Sequence, residues 1–195
     1  MSIILASGSP RRSEILKNIN LKFDIIKSKV DEIIIEGESP ENLAMRLAYE
    51  KAKDVANTNK ESIVIGADTI VVLDGKVLGK PSSKEEAKRM IRSLSGREHE
   101  VITGISFIKI SEEIEVKDYC TSYVKFKELS EEEIEDYVST GESMDKAGAY
   151  GIQGFGSLFV EYIKGDYFNI VGLPVYLVGK IMRENFGVNL FRFDK

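Results

Sequence analysis

The stretch Ile63-Val64-Ile65-Gly66-Ala67-Asp68-Thr69-Ile70-Val71-Val72-Leu73-Asp74-Gly75-Lys76-Val77-Leu78-Gly79-Lys80-Pro81 decides how the chain is read. Its apolar runs, 62–66 and 69–73, have the branched composition of buried strands. Asp74-Gly75 is a strong hairpin signal, because both residues tolerate the positive φ that such turns need. One carboxylate, Asp68, stands at the end of the first run. Charge in such apolar surroundings needs a partner or a metal. Strand ends are also where open α/β sheets present ligand-binding groups. A capping or turn aspartate fits the same position.

Outward from this stretch, strand and helix signals interleave. Ile3 to Ala6 reads as a short buried strand, and Ser7-Gly8-Ser9 turns the chain. Ser9 suits an N-cap and Pro10 a first helical residue. A helix follows to Ile19, with Ile15, Leu16 and Ile19 on one face. Phe23 to Ser28 reads as a second strand. Ser39-Pro40 repeats the cap-then-proline signal before a helix that turns Leu43, Ala44, Leu47, Ala48 and Ala52 inward. Ser82 or Ser83 opens a helix to Leu94. Two long strands, 97–109 and 113–127, come next. Ser130 and Glu133 have capping-box spacing and open a helix to about Thr140. After a glycine-rich stretch, 147–154, a strand covers 158–163, and Leu173-Pro174 opens a last helix to about Asn185. No repeat or interdomain linker stands out. The 195 residues suit one domain, 1–195, or one domain with two lobes. The pattern gives an α/β fold with a mixed sheet.

Hydrophobic residues make up 43% and charged residues 30%, which is globular composition. A net charge of −5 argues against nucleic acid as a general partner, since such binding needs clustered cations. A local basic site on an acidic protein still accommodates a small anion. Cys120 is the only cysteine, which excludes an internal disulfide and fits a reducing cytoplasm. The single histidine, His99, lies in the polar run Arg97-Glu98-His99-Glu100, so Cys120 does not read as a nucleophile. No apolar run reaches the roughly 18 residues of a membrane span. The N-terminus lacks the marks of a signal peptide. The expectation is a cytoplasmic protein with no membrane contact.

Four segments offer chemistry. At the N-terminal helix start, unpaired backbone N–H groups favour an anion. Ser7 and Ser9 add hydroxyls there, and Arg11 and Arg12 can clamp phosphate in a forked geometry. A capped surface helix with two solvated arginines reads equally well. Lys80 misses the P-loop pattern, because Gly75 and Gly79 enclose three residues and Pro81 follows. It remains a point charge for a phosphate, or a solvated lysine. Glu32, beside Asp31, can join Asp68 as a hard oxygen ligand for a divalent cation. Alone it is a solvated acidic turn. Gln153 stands among glycines 148, 151, 154 and 156, where an amide can meet the edge of a flat base. The bland alternative is a flexible loop. Lys51 carries no signal in its spacing.

Taken together, these segments resemble the Maf family of nucleoside triphosphate pyrophosphatases over nearly the whole chain. The marks are 5–12, Lys51, 66–69, 79–81, 146–154 and 165–174. The form Lys146-Ala147-Gly148-Ala149-Tyr150-Gly151-Ile152-Gln153-Gly154 is similar to the branch that acts on dTTP and UTP. A sister branch acting on 7-methyl-GTP differs there. The resemblance implies cleavage between the α- and β-phosphates, with Mg²⁺ or Mn²⁺ as cofactor. It implies Asp68 as catalytic carboxylate, with Lys51 and Lys80 in catalysis. Ser7 and Arg12 would meet phosphate, and Glu32 with Asp68 would meet the metal. Arg11, Thr69 and Gln153 would select the base. The implied fold is a long curved mixed sheet with flanking helices and two lobes around a central cleft, as in Maf and ITPase proteins. Homodimers are common in the family. Two other readings stay open: a pyrophosphatase for another nucleotide, and a non-enzymatic nucleotide-binding regulator of septation.

Overall fold

Ile3, Ile4 and Leu5 are all buried and form strand β1 (Ile3–Leu5). A strand covered on both faces has no need of polar alternation. It runs parallel to β2 (Asp24–Ile25) on one side and to β3 (Ile63–Leu73) on the other, with Ile3, Ile4 and Leu5 opposite Ile63, Val64 and Ile65. The computed structural model describes residues 2–33, 35 and 37–192.

The remaining strands are β4 (Lys76–Leu78), β5 (Glu98–Lys109), β6 (Ile114–Phe126) and β7 (Val160–Lys164). The order is β2-β1-β3-β5-β6-β7, with β4 paired to β3. β4 and β7 pair antiparallel to their neighbours, so the sheet is mixed, as expected. The helices are α1 (Pro10–Asn18), α2 (Pro40–Ala56), α3 (Lys84–Leu94), α4 (Glu131–Ser139), α5 (Tyr167–Val171) and α6 (Val175–Phe186).

The chain divides into two compact units. The first comprises the N-terminal segment up to Asp68, Thr103–Cys120, and the segment from Gly172 onward. Its α2 lays an alanine face, Ala44, Ala48 and Ala52, against the strands, and all three are fully buried. Gly66 makes that approach possible. A Cβ there would meet the Ala48 carbonyl oxygen at 2.2 Å. The second unit comprises Thr69–Ile102 and Thr121–Val171. Its core includes Val71, Ile91, Leu94, Phe126, Tyr137 and Tyr150.

Several expectations need correction. The runs 62–66 and 69–73 are one continuous strand, so Asp68 lies mid-strand rather than at a strand end. An ammonium partner, described below, makes a carboxylate tolerable there. The expected strand 23–28 shrinks to Asp24–Ile25, and both residues are exposed, so little apolar burial holds a longer pairing. The 158–163 strand starts later, at Val160, because Gly154–Phe159 coils into 3-10 turns. Short helix α5 is absent from the sequence reading. Ser9 occupies the N-cap position of α1 but makes no side-chain cap bond. Its own N–H donates to Ser7 Oγ instead. Ser39, Ser83 and Ser130 do cap their helices, and Ser130 with Glu133 completes a capping box. Among the described residues, no helix is long and apolar enough to cross a membrane.

Candidate active site

Gly66 and Asp68 point to the same face of β3, because strand side chains alternate. The close seat of α2 that Gly66 allows brings Lys51 to Asp68. Lys51 Nζ donates to Asp68 Oδ1 at 2.5 Å and to Glu32 Oε1 at 2.7 Å. One ammonium therefore joins two carboxylates whose residues are far apart in the chain. The Lys51 and Asp68 side chains are 13% and 10% exposed, whereas Glu32 is 45% exposed. Charge-assisted bonds of this kind are the strong ones, more so where water is thin.

The segment that carries Glu32 is tied to α2 on both sides of it. Upstream, Ser28 Oγ and the Lys29 N–H donate to Asp54 Oδ2. Downstream, Arg46 Nη2 donates to the Ile33 carbonyl at 2.7 Å, while its Nε and Nη2 grip Glu38. The hydrogen bonds to Glu38, then Glu50, raise the Arg46 pKa, and the Arg46 bond lowers that of Glu38. Asp54, Arg46 and Lys51 all project from α2. Asp54 and Arg46 escaped the sequence reading. The signal that could have found Arg46 is its i,i+4 spacing from Glu50, with which it makes a 3.0 Å ion pair.

Arg12 is not a solvated arginine. It is 9% exposed. Its Nε donates to the Gly172 carbonyl at 2.8 Å and its Nη1 to Ser7 Oγ at 3.1 Å. Burial lowers its pKa most, with the charge of Asp68 opposing, Arg11 adding to the drop and Glu32 opposing. The fields of both carboxylates thus reach this guanidinium. Ser7, Arg12, Glu32, Lys51 and Asp68 form one polar cluster in the first unit. Arg11 sits half-buried beside it on the first turn of α1.

The second unit holds the other candidates. Thr69 is half-buried on β3, and Lys80 is exposed just after β4. The Gly148 N–H donates to the Gly79 carbonyl at 3.0 Å, so the glycine-rich segment hooks onto the stretch that presents Lys80. Gln153 is exposed on that segment. His99, which reads as a polar-run residue, is in fact 2% exposed. Its Nε2 lies 2.7 Å from Tyr150 OH. Burial holds its pKa down to about 4, so the ring is neutral near pH 7.

Comparison with known proteins follows the same lines. Residues 2–185 match the family model for Maf-like protein. A dTTP/UTP pyrophosphatase of Clostridioides difficile (strain 630) is 61% identical over 191 residues, covering 98% of each chain. A dTTP/UTP pyrophosphatase of Alkaliphilus metalliredigens (strain QYMF) is 52% identical over 189 residues, covering 96% of this chain and 98% of its own. Among solved structures, the Ham1 protein of Staphylococcus aureus aligns with a TM-score of 0.50 at 18% identity. That alignment covers 83% of this chain and 81% of the other, and it is a likeness of fold.

Proposed function

The chain belongs to the Maf family, and from that premise we propose that it hydrolyses dTTP and UTP to the nucleoside monophosphate and pyrophosphate. The observation that carries this reading is the Lys51 ammonium held between Glu32 and Asp68. Phosphoryl chemistry needs cations to balance the triphosphate and an acceptor for the proton of the attacking water. A protein that only bound the nucleotide would gain nothing from two carboxylates facing its phosphates. The names of the relatives described above support the preference for dTTP and UTP.

In this reading water attacks the α-phosphorus, and the bond from that phosphorus to the α–β bridging oxygen breaks. The bridging oxygen leaves with pyrophosphate. Asp68 accepts the proton released by water. Ser7, Arg12, Lys51 and Lys80 meet the phosphates and stabilise the charge that develops on the leaving group. As the triphosphate takes over Lys51, Asp68 regains a lone pair for the proton. Arg11, Thr69 and Gln153 read the pyrimidine edge.

Glu32 and Asp68 are two hard oxygen donors held together by one cation. Such a pair suits Mg²⁺ or Mn²⁺, which commonly binds through one or two carboxylates plus substrate phosphates and keeps several waters. Among the described residues, no group of three or more His, Cys, Asp or Glu side chains comes together for a metal. In this reading, phosphate and water complete the coordination. The ion, when bound, neutralises phosphate charge. The same reading makes 1–195 a single catalytic domain acting on free nucleotide in the cytoplasm, with a homodimer as the assembly to look for by light scattering.

The test is pyrophosphate release from dTTP, UTP, CTP, dATP, GTP and 7-methyl-GTP, with and without Mg²⁺ or Mn²⁺. Metal-dependent turnover of dTTP and UTP supports the proposal. Turnover of 7-methyl-GTP alone overturns the base preference, and nucleotide binding without turnover overturns the enzyme.

A further inference from the structure

Gln153 is exposed on a glycine-rich segment that is pinned at three points, all within the second unit. Gly148 N–H is bonded to the Gly79 carbonyl. Tyr150 OH meets His99 Nε2, and both residues are buried. The third point is Glu142. Its Oε2 accepts the Phe155 N–H at 3.0 Å, and its Oε1 accepts the Gly156 N–H at 3.3 Å and the Tyr137 hydroxyl at 3.2 Å.

This third anchor differs from the other two. A single side chain receives two consecutive backbone N–H groups, those of Phe155 and Gly156, two and three residues after Gln153. Burial first, then the Glu142 charge, raises the Tyr137 pKa, so the phenol stays a donor. The carboxylate also explains a glycine. Gly154 has φ +72, and a Cβ there would lie 2.5 Å from Glu142 Oε2. The acid thus lies directly against the backbone that follows Gln153.

We propose that Glu142 is a positioning residue for base selection, fixing the backbone from which the Gln153 amide meets the base. This rests on the reading of Gln153 as a base-selecting residue. An amide on an unpinned glycine-rich segment would surrender backbone entropy at every binding event. Fixed in advance, its donor and acceptor discriminate by placement, and the O4 of uracil differs from the N4 amine of cytosine there. Glu142 touches no substrate in this account and takes no part in the chemical step.

The experiment compares wild type, Glu142→Ala, Glu142→Gln and Gln153→Ala. It measures kcat and KM for UTP and CTP, and hydrogen exchange across 151–157. In Glu142→Ala the UTP-over-CTP ratio of kcat/KM falls roughly tenfold, the worth of one charge-assisted hydrogen bond. The loss appears in KM for UTP while kcat holds, and the 151–157 amides exchange faster. Glu142→Gln keeps one carbonyl acceptor and lies between the two. If Glu142→Ala loses its folded circular-dichroism signal, Glu142→Gln carries the test with the same sign. A Glu142 variant that keeps the wild-type ratio, or loses activity equally on both nucleotides, overturns the proposal. In that case a reduced ratio in Gln153→Ala leaves the base-reading role standing. A Gln153→Ala enzyme with an unchanged ratio removes both.

Discussion

Lys51 Nζ stands 2.5 Å from Asp68 Oδ1, with both side chains largely withdrawn from water. Removing the ammonium takes from the withdrawn Asp68 carboxylate the cation that is hydrogen-bonded to it. Lys51→Met is expected to cost roughly 1–3 kcal/mol of stability and about 10²–10³-fold in kcat for dTTP. Lys51→Arg restores the charge and most of the stability. It does not restore kcat, because a planar fork cannot replace a point charge between two acids. Urea unfolding and steady-state kinetics on the two variants check both arms.

The same pairing depends on how closely α2 approaches β3. A Cβ at Gly66 would meet the Ala48 carbonyl oxygen at 2.2 Å and Ala52 Cβ at 2.9 Å. Gly66→Ala forces α2 outward and is expected to destabilise by about 1–3 kcal/mol, as overpacked interiors do. It should also lower turnover, since Lys51 moves with the helix. Thermal unfolding beside a dTTP assay reads both effects. A variant as stable and active as wild type would show that the helix seat is not what sets the site.

Arg46 holds the Ile33 carbonyl one residue beyond Glu32. In Arg46→Ala, amides across 28–33 are expected to exchange faster. The Mn²⁺ concentration for half-maximal turnover should rise about tenfold or more, as when an outer partner of a metal ligand is lost. Hydrogen exchange without nucleotide separates the loosened segment from any effect on chemistry.

His99 gives a pH signature. Its pKa falls from the ordinary 6.5 to about 4 in the folded protein, chiefly by burial. Between these values the unfolded chain binds the extra proton. Stability from this residue is therefore complete above about pH 6.5 and is lost as pH falls toward 4, by up to about 1.4 kcal/mol per pH unit. His99→Gln keeps a partner for Tyr150 but cannot titrate, so the decline should flatten. Unfolding midpoints at several pH values decide it.

Much of this arrangement was legible in the sequence, and the failures have physical causes. The Asp74-Gly75 turn and the caps at Ser39, at Ser83 (read as Ser82 or Ser83) and at Ser130 are local signals, and they appear as read. Asp68 looked like a strand end because a charge interrupts an apolar run. The strand continues because Lys51, from another element, meets that charge. No spacing within α2 announces Lys51, since its partners are distant in sequence. His99 sits in a charged run, yet β5 turns its ring inward to Phe126 and Tyr150. Glu142 left one trace, the glycine at 154, whose positive φ and crowding the carboxylate accounts for.

Isotope placement tests the bond that breaks. In H₂¹⁸O the label is expected in the monophosphate and not in pyrophosphate, because water adds to the α-phosphorus. Label in pyrophosphate would place the attack on the β-phosphorus and remove the proton path drawn for Asp68.

The most direct measurement is dTTP turnover by Asp68→Asn in the presence of Mn²⁺, with nucleotide binding followed in the same preparation by calorimetry. The account expects kcat to fall about 10²–10⁴-fold, the range for a positioned proton acceptor, while dTTP still binds. An Asp68→Asn protein that turns over dTTP near the wild-type rate would contradict it.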